Sequence, residues 1–544
     1  MRRPRGNVTP VSRQQSQAGC PVSTGSREKL ALGALACLLL ALCTQLPSQG
    51  APQSVPDAQA HADRGLQLAQ QGNLVRAESE FRRAVELAPQ DPSYLTHLGT
   101  ILAMERKLEE STECFAKALK ADPGDLTARR YLAANLWQLN RSEEAKRHLE
   151  FVRKAAPGDR DTVLLLGMVS ENLRDYATAA ELLASVPDLV RERPESIAAL
   201  ARSYYHLGKA NLARQTIDLC ARQGATGEST FLCARIAEEA KDFSTATQLL
   251  ESLRGKYSEP ARLEFHLAQI ALEAHHPEEG RQILEQLVQS GNASAEVYNL
   301  LGRSLSEEGK PGQAQRALEA GLRLQPKLEN NYLDLALLLQ KRGKANDALE
   351  TAQECLAELP NSYACAEMEG EIERSQDYYR QAVDSFSHAL RLRPGSAQAE
   401  FGLATSLAGL GKIAEASEVF EATLKLDPQM APAYIEYAKL MIRADTPPRA
   451  SSDTKIFSLV NKGIELSPEN GEAHYLLGYL LFERGRYEEA LPALQDASRL
   501  TPRDGQVHYL LSRCYRKLGK EQQAAQELRV YQELSVKPHA GKSE

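Results

Sequence analysis

The side chains most able to do chemistry here are cysteines, histidines and carboxylates, and their spacing builds no catalytic or metal site. Six of the nine cysteines lie beyond residue 50, at Cys114, Cys220, Cys233, Cys355, Cys365 and Cys514. None forms a Cys-x-x-Cys pair and no zinc-type spacing occurs, so each reads first as a small apolar packer. The eleven histidines are scattered, and the doublet His275-His276 falls in a turn. A phosphate loop, a Gly-x-Ser-x-Gly elbow and a His-Glu-x-x-His helix are all missing from the sequence. Many carboxylates stand at i, i+4 from a basic residue, a spacing that supports a helix. The expectation is no enzyme, no cofactor and no metal. Binding remains: Tyr475, Tyr479 and Phe482 recur at i, i+4 and i+7 on one helix face, and aromatic side chains often dominate binding energy.

The element that must position those aromatics is the stretch 471–502, GEAHYLLGYLLFERGRYEEALPALQDASRLTP. It reads as two short helices around Gly485. Leu477, Gly478 and Leu481 line one face of the first helix; Ala490, Leu494 and Ala497 line the facing stripe of the second. Small residues at Gly478 and Ala490 let the helices approach closely. Pro502 ends the unit. One such hairpin cannot bury its apolar face alone, so it must stack on copies of itself.

The chain supplies the copies. The offsets of His474, Leu477-Gly478, Leu481, Ala490, Leu494, Ala497 and Pro502 resemble the tetratricopeptide repeat, a helix–turn–helix unit of about 34 residues. The resemblance covers nearly everything after residue 57. It implies an all-α fold, a right-handed α-solenoid of about fourteen repeats, with the first helix of each repeat on the concave face and the second on the convex face. The register gives a linker over 51–57, repeats one to six over 58–260, seven to eleven over 261–430, and twelve to fourteen over 431–538. A tail, 539–544, should fray. Departures are local. Ser111 and Gly280 replace packing alanines, Pro187 shortens the second helix of repeat four, and Glu369 replaces a core leucine. Pro492 sits inside the second helix of repeat thirteen. The stretch 443–452, with its Pro447-Pro448 doublet, reads as a protruding loop because proline bars a helix there.

Ahead of the repeats, 1–29 carries no structural pattern. A thirteen-residue apolar run, 30–42, follows Arg27 and Lys29 and precedes Ser48-Gln49-Gly50. That length suits a signal peptide cleaved after Gly50 better than a membrane span, with an uncleaved inner-membrane anchor as the alternative. The expected location is therefore exported, periplasmic or extracellular. Cys43 follows the bulky Leu42, which disfavours a lipid anchor. Lysine plus arginine number 65 against 72 acidic residues. Residues 1–50 hold six of those basic side chains and one acidic, so the repeats are more acidic still. That balance argues against a nucleic-acid partner, which wants a basic stripe.

The resemblance also places a ligand groove, lined by positions two, five, nine, twelve and thirteen of each first helix. Three groups of aromatic and arginine residues fall there. Repeats three and four contribute Arg130 and Trp137, the single tryptophan, with Leu164 and Met168. Repeats five to seven contribute Arg202, Tyr205, Phe231, Arg235 and Phe265. Repeats thirteen and fourteen contribute Tyr475, Tyr479, Phe482, Tyr509, Arg513 and Arg516. The alternative for each group is packing against the neighbouring repeat. The lysine–asparagine clamp that some relatives use for a terminal carboxylate is unfilled, since Ala134 follows Arg130 where asparagine is needed. In such a stack the end of one second helix lies beside the next first helix. Cys220 with Cys233, and Cys355 with Cys365, therefore stand where disulfides can form, with reduced packing thiols as the alternative. The implied function is a non-enzymatic scaffold that binds other proteins or extended peptides during envelope assembly or secretion. The alternatives are an accessory subunit presenting substrates to a separate enzyme, such as a glycosyltransferase, or a cytoplasmic regulator.

Overall fold

A computed structural model describes residues 56–222, 226–444 and 450–536. The apolar run at 30–42 and the tail 539–544 lie outside the described residues. Among the described residues there are 29 α-helices and no strand. They fall into the fourteen expected pairs plus one extra helical turn. The protein is thus an all-α solenoid of helix–turn–helix repeats.

Each pair begins and turns for local reasons. The first helices of repeats two, three and four start at Asp91, Asp125 and Asp159, whose carboxylates accept hydrogen bonds from backbone amides of the first turn. Ser294, Ser362, Ser396, Asn470 and Asp504 do the same further along. Each cap satisfies a donor that the helix itself cannot, worth about 1 kcal/mol. Among the described residues, the turn inside a pair uses one left-handed residue. Gly485 supplies it in repeat thirteen with φ +72, whereas Arg106, Asn140 and His275 hold φ near +60 in theirs.

The two helices of a pair meet through one repeated contact. A β-carbon added at Gly478 would lie 2.5 Å from Leu494 Cδ2, and one at Gly99 would lie 2.9 Å from the ring of Phe115. Leu494, Phe115 and the equivalent Leu149 are fully buried. Where the first helix carries alanine instead, as at Ala133 and Ala404, that alanine is fully buried too.

The chain forms two compact units that divide between Ala274 and His275, inside repeat seven. The first has a core that includes Leu95, Phe115, Tyr131, Leu149 and Leu166. Ser111, the odd residue among packing alanines, is fully buried and satisfied: its hydroxyl donates to Gly99 O at 2.5 Å and accepts from Asn135 Nδ2 at 2.7 Å. In repeat four the second helix stops at Ala184, and a short helix, Pro187–Arg191, follows. Val186 and Val190 bury themselves there.

In the second unit, the helix Tyr487–Leu500 runs straight through Pro492. Leu477 is half-buried, contrary to its expected place as a core leucine; Leu476 and Leu480 are the deeper pair. These two pack with Ile435, Tyr437, Ile456 and Val460 of repeat twelve, while Leu481 and Leu494 pack with Leu510, Leu511 and Cys514 of repeat fourteen. A first helix in a stack is covered from both sides, so one stripe does not describe its core. The loop of repeat twelve is shorter than expected. Arg443 and Ala444 end one helix and Ala450 begins the next, and 445–449 lies outside the described residues.

Both cysteine pairs are brought together. The Cα–Cα distances are 6.7 Å for Cys220–Cys233 and 5.9 Å for Cys355–Cys365, inside the range that a disulfide spans. Each pair bridges one repeat to the next. Cys114 and Cys514 are buried and stand apart. Alkylation of the chain denatured without reductant, after export to an oxidising compartment, is expected to label Cys114 and Cys514 and to spare the other four. Peptide mapping that finds all six labelled would leave both pairs as packing thiols.

Candidate functional site

The three groove groups differ in what their side chains already hold. In the first, Arg130 bonds Asp159 at 2.8 and 3.1 Å across the repeat junction. The same carboxylate caps its own helix and accepts from the Thr162 hydroxyl at 2.7 Å. Trp137 is half-buried against the core of the first unit, and Leu164 is buried. This group cements a junction.

The second group is an ion-pair ladder. Arg202 reaches Glu171 of repeat four at 2.7 Å and Glu239 of repeat six at 3.3 Å. These partners hold the guanidinium above its ordinary pKa although burial opposes them. Arg235 meets Glu238 at 3.3 Å, and Glu238 meets His266 at 3.3 Å. Tyr205 donates to Asp242 at 2.9 Å; burial first, and then that carboxylate, push its hydroxyl far above the usual tyrosine range. Phe231 is core rather than groove: it is 2% exposed, stacks on Tyr257 at 5.1 Å, and carries the Arg262 guanidinium at 4.4 Å. Phe265 is half-buried beside His266. A ligand here would have to break contacts that join four consecutive repeats.

The third group is arranged differently. Tyr475 and Tyr479, one turn apart on the helix Gly471–Glu483, lie 6.3 Å apart with rings tilted by 28°. Tyr509, on the helix Gly505–Lys517, is 43% exposed, and Tyr531 supports its ring at 5.2 Å. Arg513 lays its guanidinium over Phe482 at 4.8 Å and reaches Tyr509 at 5.8 Å. Arg513 and Arg516 are both exposed. Among the described residues, neither forms an ion pair. Phe482 departs from its expected role. It is 5% exposed, packs edge-on to Tyr487, and forms the floor beneath Arg513 rather than a ligand contact. Tyr475 is half-buried, and burial pushes its hydroxyl up to about 12. Lys439, on the first helix of repeat twelve, is tied to Glu436 and Glu472 at 2.8 Å each, which closes the neighbouring surface.

This face can therefore do what the other two cannot. It presents tyrosine rings, and guanidinium groups unpaired among the described residues, on two neighbouring first helices. A guanidinium held over a ring stays available at its edge for a bidentate anion contact. The sequence signal that separates the groups is weak, because the carboxylates that close Arg130 and Arg202 lie 29 and 31 residues away, about one repeat along.

A tetratricopeptide-repeat family model matches residues 51–92, 132–197, 367–431, 459–502 and 475–535. Two further models with the same description match 237–303 and 295–328. Together they span more than half of the chain, and the chain belongs to the tetratricopeptide repeat family. It is 28% identical to the type IV pilus assembly protein PilF of Pseudomonas aeruginosa over 209 residues, 38% of this chain and 82% of that protein. It is 22% identical to cellulose synthase operon protein C of Pseudomonas fluorescens over 403 residues, 71% of this chain but 29% of that protein. The solved APC/C hetero-tetramer Cut9–Hcn1 contains a chain 12% identical, matched over 84% of this chain and 96% of that one with a TM-score of 0.38. Among the described residues, no helix is long and apolar enough to cross a membrane.

Proposed function

We propose that this protein is a non-enzymatic scaffold that holds peptide segments or partner proteins on the first-helix faces of repeats thirteen and fourteen, in an envelope assembly or secretion process. One observation carries the reading. Of the three groups of aromatic and arginine residues, only this one keeps an exposed ring, Tyr509, beside arginines with no carboxylate partner among the described residues. The family supports binding as the mode of action. The envelope assignment is supported by the two Pseudomonas relatives, one named for pilus assembly and the other for the cellulose synthase operon. The apolar run at 30–42, read as an export signal, agrees with it.

Photo-crosslinking in the cell of origin tests the site. A crosslinking amino acid at Tyr479 or Tyr509 is expected to trap a discrete partner; the same group at Arg83, exposed on a second helix, is expected to trap none. Equal capture from all three positions would defeat the proposal. N-terminal sequencing of the mature chain tests the location, with a start at Ala51 as the expected result.

A further inference from the structure

Arg513 is the pivot of the C-terminal face. It is exposed, and its guanidinium is pinned over Phe482 and Tyr509. Phe482 is buried and cannot move away. The arginine has therefore lost part of its rotamer freedom before any ligand arrives, so less entropy is lost on binding. Arg516 stands three residues on and Lys517 follows it, both exposed. The nearby carboxylates do not cancel this charge. Glu472 is bonded to Lys439, while Asp504 caps its helix by accepting from Gln506 N at 2.9 Å and keeps its charge. Glu483 is exposed too, and like Asp504 it forms no ion pair among the described residues. Three cations thus face two carboxylates without an ion pair among the described residues, Asp504 and Glu483, which leaves the face net positive on a chain whose formal charge is −7.

Resting on the scaffold reading above, we infer that the occupant of this face is an extended peptide segment carrying carboxylates beside aromatic or proline residues. The carboxylates meet Arg513 and Arg516, and the rings lie on Tyr475, Tyr479 and Tyr509. The acidity of the remaining surface disfavours the same segment elsewhere and so confines it to this end. Groups one and two offer no equivalent, because their arginines already hold carboxylates.

The test uses fluorescence anisotropy with the whole chain and a labelled peptide of repeated Glu-Tyr-Glu-Pro. Two counterparts replace every Glu by Gln or by Lys, and cellohexaose serves as a competitor. The Glu peptide is expected to bind most tightly and to weaken as salt rises. The double variant Arg513→Gln, Arg516→Gln is expected to weaken the Glu peptide by about tenfold, the weight of two exposed charge pairs, and the Gln peptide little. Its thermal melt is expected to fall only slightly, by the loss of the exposed contact of Arg513 with the Phe482 and Tyr509 rings, because neither arginine holds an ion pair among the described residues. Equal affinity for the Glu and Gln peptides would overturn the inference. The scaffold site would still stand if Tyr479→Ala then abolished both. Binding of none of the peptides, or displacement by cellohexaose, would also overturn it, and crosslinking from Tyr509 would then report on the scaffold reading separately.

Discussion

Leu494→Ala is expected to destabilise repeat thirteen by about 2–5 kcal/mol, because the leucine is fully buried and its neighbours are held by two helices. Gly478→Ala should cost about 1–3 kcal/mol by overpacking, since the added carbon would lie 2.5 Å from Leu494 Cδ2. The informative result is the pair. With Leu494 truncated, the new methyl at 478 fills part of the cavity instead of colliding, so the double variant should recover about 1 kcal/mol or more relative to additivity. Hydrogen exchange in Gly471–Glu483 and Tyr487–Leu500 reads the effect where it occurs, because repeats lose structure locally. Additive losses would mean that the two residues share no contact.

The residues of that contact were legible in the sequence because they repeat, although the close approach expected of Gly478 with Ala490 is made by Gly478 with Leu494. A small residue in the first helix and a large one sixteen positions later appear as Gly65 and Phe81, Gly99 and Phe115, Gly302 and Leu318, and Gly478 and Leu494. Proline and glycine marked the ends of the pairs for reasons of backbone geometry, so the helix pairs followed. The caps at Asp91, Asp125 and Asp159 share the same period and set where each first helix starts, a second signal in the sequence beside the apolar one. Burial within a pair was less legible. Leu476, Leu480, Phe231 and Phe482 are covered by the preceding or following repeat, and no local stripe reveals that cover.

The candidate site was half legible. Residue type picked out the aromatics and arginines, and the repeat register put them on first helices. What the register could not say is which guanidinium groups were already bonded. Arg130 and Arg202 resemble Arg513 in type and position, yet their carboxylates lie 29 and 31 residues away in sequence. Charge identity is local in a sequence and charge pairing is not, so the open face emerged from geometry.

Repeat ten holds the expected pH response. Glu369, at a position where the repeat pattern wants leucine, stays half-buried, and the acid that enters the core is Glu373. Burial pushes its carboxyl up to about 7, with Glu369 and Asp384 acting in the same direction. The Ser385 hydroxyl, donating at 2.8 Å, pulls it back only in part. Since the folded pKa exceeds the unfolded one, the native state keeps its proton where the unfolded chain has released it. The stability is fully present below about pH 4.5 and falls as pH rises through about 7. The loss amounts to about 3–4 kcal/mol above that pH, because each tenfold difference in proton affinity between the folded and unfolded chain is worth about 1.4 kcal/mol. Glu373→Gln keeps the shape and removes the titration. Denaturant melts of parent and variant from pH 5 to 8 should therefore diverge, the variant becoming the more stable as pH rises, with hydrogen exchange in Tyr363–Ser375 following the same trend. Parallel curves across that window would mean that Glu373 is ionised in the folded chain throughout, and that its burial carries no charge cost.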